Sequence, residues 1–94
     1  MDAPSLAWMN NKTRDAICSQ VAKLFKEERL RQKLSMNRVA ERAGLSYQMI
    51  SYVEREIRNP TLETMLRIAG ALSLNLGGLI TEAERATQSS PKKD

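Results

Sequence analysis

Residues 35–54 constrain the fold more than any other part of the chain. They read S-M-N-R-V-A-E-R-A-G-L-S-Y-Q-M-I-S-Y-V-E, with a short helical pattern on each side of Gly44. A glycine between two helices supplies the left-handed backbone conformation in which a helix ends. Ser35 and Ser46 stand where the two helices need N-terminal caps. The segment therefore predicts two short helices joined by a tight turn.

A longer helix is predicted before this segment. Thr13 is its candidate cap, and the helix is expected to run to about Lys33. Its apolar residues share one helical stripe, which provides a face for the core. They are Ile17, Val21, Leu24 and Phe25.

Two more helices are predicted after the segment. Because Pro60 disfavours helix at the preceding residue, Thr61 is expected to begin a fourth helix that reaches about Leu72. Asn75 can cap a fifth helix. The inner face of the fourth helix is expected to carry Leu62, Met65, Leu66 and Ala69. The fifth helix carries Leu76, Leu79 and Ile80, which could belong to the core or to a contact with a second copy of the chain.

The patterns together predict one all-α domain, a compact bundle of about five helices. A chain of 94 residues has room for one small core, so every amphipathic helix must contribute to it. Residues 1–12, which include Trp8, are interpreted as an N-terminal arm, and residues 13–85 as the folded domain. Residues 86–94 are interpreted as a polar tail.

Composition narrows the class of function. The chain has no histidine and one cysteine, Cys18, which excludes an internal disulfide, a Cys/His zinc site and histidine-based catalysis. The carboxylates fit a helix surface and no phosphate-cradling glycine loop is visible, so no enzyme, metal or cofactor is expected. No apolar run approaches the roughly 20 residues of a membrane span. Since no secretory signal is visible either, a cytoplasmic protein without a membrane partner is predicted.

The basic residues are concentrated in one part of the chain. Between residues 10 and 67, twelve basic residues stand against seven acidic ones, and the whole chain has a formal net charge of +4. An excess of positive charge favours a polyanionic partner, either nucleic acid or an anionic membrane. Net charge alone is weak evidence for such a partner, because many solvated helical proteins that bind no polyanion are slightly basic.

The third predicted helix, residues 47 to 55, separates its side chains by chemistry. At about 100° per residue, hydrogen-bonding groups occupy an arc of roughly 140° and apolar groups occupy the far side. The outer arc consists of Tyr47, Gln48, Ser51, Tyr52 and Arg55. Such side chains suit base edges, since glutamine can bond adenine at two atoms and arginine can bond guanine or phosphate. The arc predicts DNA readout in the major groove; the alternative is the polar surface of an ordinary bundle.

Polar residues also flank the third helix. Arg55, Arg58 and Asn59 follow it, and Asn37 and Arg38 open the preceding helix. These are positions at which a docked helix-turn-helix unit meets the sugar–phosphate backbone. The flanks therefore favour the DNA-binding interpretation.

The motifs in combination resemble a known family. The stretch L-S-M-N-R-V-A-E-R-A-G-L-S-Y-Q-M-I-S-Y-V-E-R, followed by R-N-P-T-L-E-T-M-L-R-I-A-G-A-L, is similar to the Cro/phage-repressor type of helix-turn-helix, often called the XRE family. The similarity extends over about residues 21 to 80. It implies a lambda-repressor-like bundle of about five helices that binds operator DNA as a two-fold dimer.

The resemblance also implies roles for individual residues. Arg29 and Glu54 correspond to a family ion pair that orients the third helix, against the alternative of two exposed charges that never meet. The base-reading positions are Tyr47, Gln48 and Tyr52, with Ser46 and Ser51 beside them. The DNA-backbone positions are Met36, Asn37, Arg55 and Arg58, to which the flanking Arg38 and Asn59 are added.

Three residues depart from the family pattern. Met36 stands where many relatives carry a phosphate-binding glutamine, so only its backbone amide is expected to serve. Glu56 replaces the usual glycine after the third helix, so a different turn is expected there, and its charge would repel phosphate. Arg38 replaces an acidic residue or glutamine, which removes a capping box and makes Arg38 a candidate phosphate ligand.

The leading hypothesis is a sequence-specific DNA-binding transcriptional regulator, a repressor that binds a palindromic operator as a homodimer. The alternative is an antitoxin or adaptor on the same fold, with a partner such as a toxin. A basic bundle on a membrane surface is disfavoured, because the outer face of the third helix lacks large aliphatic residues.

Overall fold

The computed structural model describes residues 10–88, and this part of the chain forms five α-helices without a strand. They are α1 (Asn11–Arg31), α2 (Met36–Ala43), α3 (Tyr47–Glu54), α4 (Leu62–Ala71) and α5 (Leu76–Gln88). The long helix α1 packs mainly against α5, and α2 packs against both α3 and α4. The prediction of an all-α bundle of about five helices is confirmed. Trp8 and most of the predicted arm and tail lie outside the described residues.

One apolar core joins the five helices. Its largest fully buried side chains are Phe25, Val39, Ile50, Val53 and Leu72. Leu76 and Leu79 are each only 7% exposed, and Ile80 is half-buried against the same core. Of the two interpretations of the fifth helix, the structure therefore supports the core.

Side-chain caps set the first residues of helices α2 to α5, as predicted. The hydroxyls of Ser35 and Ser46 each accept a hydrogen bond at 3.0 Å from the backbone amide three residues further on. Thr61 accepts the equivalent bond at 3.1 Å, and the side-chain oxygen of Asn75 accepts one at 2.8 Å. Each bond satisfies an amide that has no partner inside its helix, which favours a helix start at that residue.

The prediction that Thr13 caps the first helix is wrong. Asn10 is the cap, and its Oδ1 accepts a hydrogen bond from the backbone amide of Thr13 at 2.9 Å. Asparagine is the stronger capping residue, and it stands three positions earlier, where a cap reaches that amide. α1 therefore begins at Asn11, inside the predicted arm, and ends at Arg31. At the other end, α5 continues to Gln88, beyond the predicted domain boundary.

Helices α1 to α4 all end in the same kind of turn. A residue with positive φ follows each helix: Lys33 at 58°, Gly44 at 70°, Glu56 at 59° and Ser73 at 60°. In each turn this residue donates its amide hydrogen bond three residues back, and the next residue donates five residues back. This is the Schellman motif, which satisfies carbonyl groups left free at a helix end. Of these four turns, the sequence pattern indicated only the one that contains a glycine, at Gly44.

The turn at Glu56 differs from the expectation. Glu56 adopts the left-handed conformation that a glycine would take, so the turn forms without the family's glycine. A side chain in this conformation costs roughly 1–2 kcal/mol. In three of the four turns the next residue is a leucine packed against the core, whereas Ile57 after Glu56 is 50% exposed.

The inner face of α4 differs from the prediction for two of its four residues. Leu62 is 61% exposed and Leu66 is 54% exposed. The face that packs on the core consists of Met65, Ile68, Ala69 and Leu72. α4 therefore carries two apolar stripes of helical period, one with Leu62 and Leu66 and one with Met65 and Ile68. Its packing against α2 and α5 buries the stripe with Met65 and Ile68.

A polar contact joins the end of α1 to the end of α4. Gln32 Nε2 donates to Glu28 Oε2 at 2.7 Å and to the backbone carbonyl of Leu72 at 2.8 Å. Hydrogen bonds from Arg31 and then from Gln32 lower the pKa of Glu28 to about 2. The carboxylate therefore stays ionised and holds Gln32 in place across the ordinary pH range.

A buried ion pair joins α1 to α3. Arg29 Nε donates to Glu54 Oε2 at 2.6 Å, and Arg29 Nη2 donates to Glu54 Oε1 at 2.9 Å. The two side chains are only 10% and 8% exposed. Arg29 Nη1 also donates to the backbone carbonyl of Leu34 at 2.8 Å. The two residues named from the family resemblance therefore lie in direct two-point contact.

The substitution Gly44→Ala is expected to lower the free energy of unfolding by about 1–2 kcal/mol, because alanine would stand in the left-handed region. Its Cβ would also lie 3.0 Å from Arg67 Nη1. Urea unfolding followed by circular dichroism measures the change. Gly78→Ala is the matched control, since its Cβ would meet only the Asn75 side chain, with Oδ1 the nearest atom at 3.5 Å, and it is expected to stabilise α5. Equal losses in both variants would contradict this account.

The substitution Glu54→Gln is expected to lower the free energy of unfolding by about 3–5 kcal/mol, because it leaves the charge of Arg29 buried without its partner. Arg29→Met combined with Glu54→Leu is expected to cost less than the sum of the single changes. Chemical denaturation of wild type, Arg29→Met, Glu54→Leu and the double variant gives the coupling energy. The exposed pair Arg38–Glu41 is the control, with an expected coupling of about 0–1 kcal/mol. A coupling of the same size at both pairs would refute the buried pair's role.

Candidate nucleic-acid interface

The core and the buried ion pair hold α3 from behind. Ile50 and Val53, on its inner side, are each 2% exposed. Ser46 caps its first turn, and Glu54 in its last turn is held by Arg29. Glu54 is the acidic residue of α3, and its contact with Arg29 leaves the outer side of the helix without a carboxylate. A polyanion can therefore approach that side without meeting a like charge from α3.

Three polar side chains form a row on the outer side of α3. Gln48 is exposed, and its Nε2 donates a hydrogen bond to Tyr52 Oη at 2.6 Å. The guanidinium carbon of Arg58 lies 5.1 Å from the centre of the Tyr52 ring, a distance typical of a cation–π contact. The half-buried ring of Tyr52 thus positions the groups on both sides of it. The residues Gln48, Tyr52 and Arg58 are called the polar row below.

The prediction that Ser51 faces outward is wrong. Ser51 is only 7% exposed, and its Oγ accepts a long hydrogen bond from Arg55 Nη1 at 3.4 Å. Ser51 and Glu54 are three residues apart and share one side of the helix. The contact between Glu54 and Arg29 on α1 turns that side inward. Ser51 is therefore removed from the candidate base contacts, whereas Tyr47 at the start of α3 stays 48% exposed.

A second group of candidates lies beside the start of α3. An open groove of about 440 Å³ is lined by Asn37 and Arg38 from α2 and by Tyr47 from α3. Arg38 Nη1 donates to Glu41 Oε1 at 3.0 Å, and both side chains are exposed. The side chain of Met36 is half-buried against the core and does not line this groove. That Met36 offers only its backbone amide to DNA stays a prediction.

The remaining candidates lie after the end of α3. Arg55, Arg58 and Asn59 are exposed. Arg58 and Asn59 line a separate hollow of about 280 Å³, together with Asp15 and Glu56. The structure thus divides the candidate DNA-backbone residues into one group before α3 and one after it. The carboxylates of Asp15 and Glu56 weaken the attraction of the second hollow for phosphate.

Sequence patterns missed one residue that supports this surface. Arg67 on α4 donates through Nη1 to the backbone carbonyl of Ala43 at 3.3 Å, at the end of α2. Its Nη2 donates to Glu63 Oε2 at 3.0 Å. Arg67 thereby braces the turn between α2 and α3 from the neighbouring helix. The contact joins residues 24 positions apart, so local spacing carries no signal for it.

Among residues 10–88, no three His, Cys, Asp or Glu side chains are grouped closely enough to hold a metal ion. No single described helix is long and apolar enough to cross a membrane; α4 and α5 reach the length and hydropathy only as a pair bent by 107°.

A family profile described as helix-turn-helix matches residues 25–79. The immunity repressor protein of Bacillus phage phi105 is 34% identical over 62 residues, which are 66% of this chain and 43% of the relative. The chain thus spans less than half the length of that relative.

Solved structures of the same fold also match. Two mutants of the restriction-modification controller protein C.Esp1396I superpose with TM-scores of 0.70 and 0.69 at 21% identity. Each match covers 80% of this chain, and 97% or 95% of the other. At this identity the likeness shows the fold. The helix-turn-helix match covers α2, α3 and α4 completely, and the chain therefore belongs to the Cro/phage-repressor (XRE) type of helix-turn-helix family, whose members are DNA-binding transcriptional regulators.

Proposed function

We propose that this protein is a sequence-specific repressor that binds a palindromic operator as a homodimer. The polar row is the observation that carries the proposal, because it presents aligned donors and acceptors on a helix that is fixed from behind. α3 of each copy enters a major groove, and the two grooves are about 34–36 Å apart, one turn of the duplex. The similarity to a phage immunity repressor supports repression as the sign of control.

Gln48 is the principal base-reading residue in this proposal. One of its two N–H groups is bonded to Tyr52 Oη, which leaves a second N–H and the amide oxygen for a base. An adenine edge offers a matching acceptor and donor. Because Tyr52 orients the amide before DNA arrives, less side-chain freedom is lost on binding. Ser46, Tyr47 and Tyr52 are the neighbouring candidates for base contacts.

The flanking residues supply most of the affinity in this proposal, through phosphate contacts that carry no sequence information. Asn37, Arg38 and the amide of Met36 meet the backbone before α3. Arg55, Arg58 and Asn59 meet it after α3. Arg38 exchanges its exposed partner Glu41 for a phosphate oxygen, and the cost is small because exposed ion pairs contribute about 0–1 kcal/mol.

Selection of bound fragments from random duplex DNA tests the proposal directly. A palindrome with half-sites one helical turn apart is the expected product. A promoter that contains this palindrome should then be transcribed less when the protein is present. Recovery of no enriched sequence would overturn sequence-specific binding, and enhanced transcription would overturn repression.

Substitution of Gln48 by alanine is expected to cost about 1–3 kcal/mol of binding free energy on the selected site, with a smaller loss on unrelated DNA. The reason is that the adenine-type contact is lost while the phosphate contacts remain. Ser51→Ala is the control on the same helix, and it should leave sequence preference unchanged because Ser51 is buried. Binding isotherms on both DNAs measure the two effects. The assignment fails if Ser51→Ala relaxes preference and Gln48→Ala does not.

Substitution of Arg58 by alanine is expected to weaken binding to all sequences alike and to reduce the slope of log affinity against log salt by about one unit. Binding measured at several salt concentrations gives that slope. Lys23→Ala is the control, since Lys23 is an exposed cation beside a hollow between α1 and α5. An unchanged slope for Arg58→Ala would show that this guanidinium meets no phosphate.

A further inference from the structure

The hydrogen bond inside the polar row limits what its side chains can offer to a partner. Gln48 Nε2 donates to Tyr52 Oη at 2.6 Å. A glutamine amide has two N–H groups, so Gln48 keeps one N–H and its oxygen Oε1. Tyr52 accepts through its hydroxyl oxygen and therefore keeps its O–H as a donor. Within residues 10–88 neither side chain has another hydrogen-bond partner, so two donors and one acceptor remain.

The position of the Tyr52 hydroxyl is fixed from several sides. Arg58 lies against the ring, with its guanidinium carbon 5.1 Å from the ring centre. Ile50 and Val53 are each 2% exposed in the core, which prevents α3 from turning the ring elsewhere. A hydroxyl that accepts one hydrogen bond is a stronger donor of another, because bonds in a chain polarise each other. Tyr52 thus holds a fixed donor beside the free N–H of Gln48.

The spacing of the two donor atoms fits stacked purines. Gln48 Nε2 and Tyr52 Oη are 2.6 Å apart. Successive bases of one strand are stacked about 3.4 Å apart along the duplex axis. Each purine presents the acceptor N7 in the major groove, whereas cytosine presents only the donor N4–H₂. Two successive purines therefore offer two acceptors at a spacing close to that of the two donors.

The free acceptor of Gln48 selects between the two purines. Its Oε1 and N–H match the N6–H₂ donor and the N7 acceptor of adenine. Guanine has O6 in place of that donor, so O6 would face Oε1, acceptor against acceptor. Tyr52 offers only its O–H, which N7 of adenine or of guanine can accept equally well. The pair thus distinguishes adenine from guanine at one position and purine from cytosine at the next.

We propose that Gln48 and Tyr52 together read two successive purines on one strand of each half-site, with adenine at Gln48 and either purine at Tyr52. The inference rests on the proposed function, which places α3 in the major groove. It gives Tyr52 a base contact of stated polarity and names the class of sequence in the operator. A phosphate oxygen is the competing acceptor for the Tyr52 O–H. Arg58, against the same ring, supplies charged donors that suit phosphate better, which leaves the hydroxyl for a base.

Duplexes altered at single atoms test the contact with wild-type protein. Selection of bound fragments should recover adenine beside a purine in each half-site. Replacing the second purine by its 7-deaza analogue puts C–H in the place of N7. The expected loss of affinity is about three- to tenfold, the effect of one hydrogen bond. Exchange of adenine and guanine at this position should leave the affinity nearly unchanged, whereas cytosine should weaken binding at least as much as the analogue does.

The variant Tyr52→Phe assigns the effect to one hydroxyl. It is expected to bind the natural and the 7-deaza duplex equally, as measured by fluorescence anisotropy. Ser51→Ala is the matched control, because it also removes one hydroxyl from α3, but a buried one. It should keep the sensitivity of wild type, and circular dichroism should show that both variants are folded. A Tyr52→Phe variant as sensitive to the analogue as wild type, or one weakened alike on all sequences, would overturn the base contact.

The direction of the bond between the two side chains has a test of its own. If Tyr52 donated to Gln48 Oε1 instead, both amide N–H groups would be free and guanine would fit at Gln48. Gln48→Ala is therefore expected to relax the preference for adenine, and relaxed preference at a guanine would overturn the proposal. Selection of no DNA sequence would overturn the proposed function. A selected palindrome without adjacent purines would overturn this inference alone.

Discussion

The ion pair between Arg29 and Glu54 fixes the helix on which the proposed function depends. α3 has only eight residues, too few to be stable in water without tertiary contacts. The pair holds its last turn with two hydrogen bonds, and a third from Arg29 to the carbonyl of Leu34 satisfies the guanidinium further. Burying two charges contributes little net stability, but a two-point contact permits few orientations. We interpret the pair as a device for orientation.

The orientation of α3 determines which of its side chains can be read from outside. The side that carries Glu54 turns inward and takes Ser51 with it. The opposite side presents Gln48 and Tyr52, and Arg58 joins them from the following loop. These contacts pre-form the polar row in the protein without DNA. The turn after α3, with Glu56 in the left-handed conformation, brings Arg58 back over the Tyr52 ring.

Helices α2 and α4 each have one side in the core and another side at the surface. α2 contributes Val39 and Ala40 to the core and its polar start to the groove beside Tyr47. α4 packs one apolar stripe inward and leaves a second one exposed. Arg67 connects these two helices through the carbonyl of Ala43. One small core therefore holds the helix-turn-helix unit and α4 in a fixed relation to each other.

The sequence by itself determined the number and order of the helices, the turn at Gly44 and most of the caps, because hydrogen bonds between residues three to five positions apart decide these features. The family resemblance also identified Arg29 and Glu54 as an ion pair. Only the tertiary structure decided which faces are buried: Ser51 proved internal, and Leu62 and Leu66 external. A helix of eight to ten residues has more than one plausible inner face, and contacts with residues far along the chain select between them.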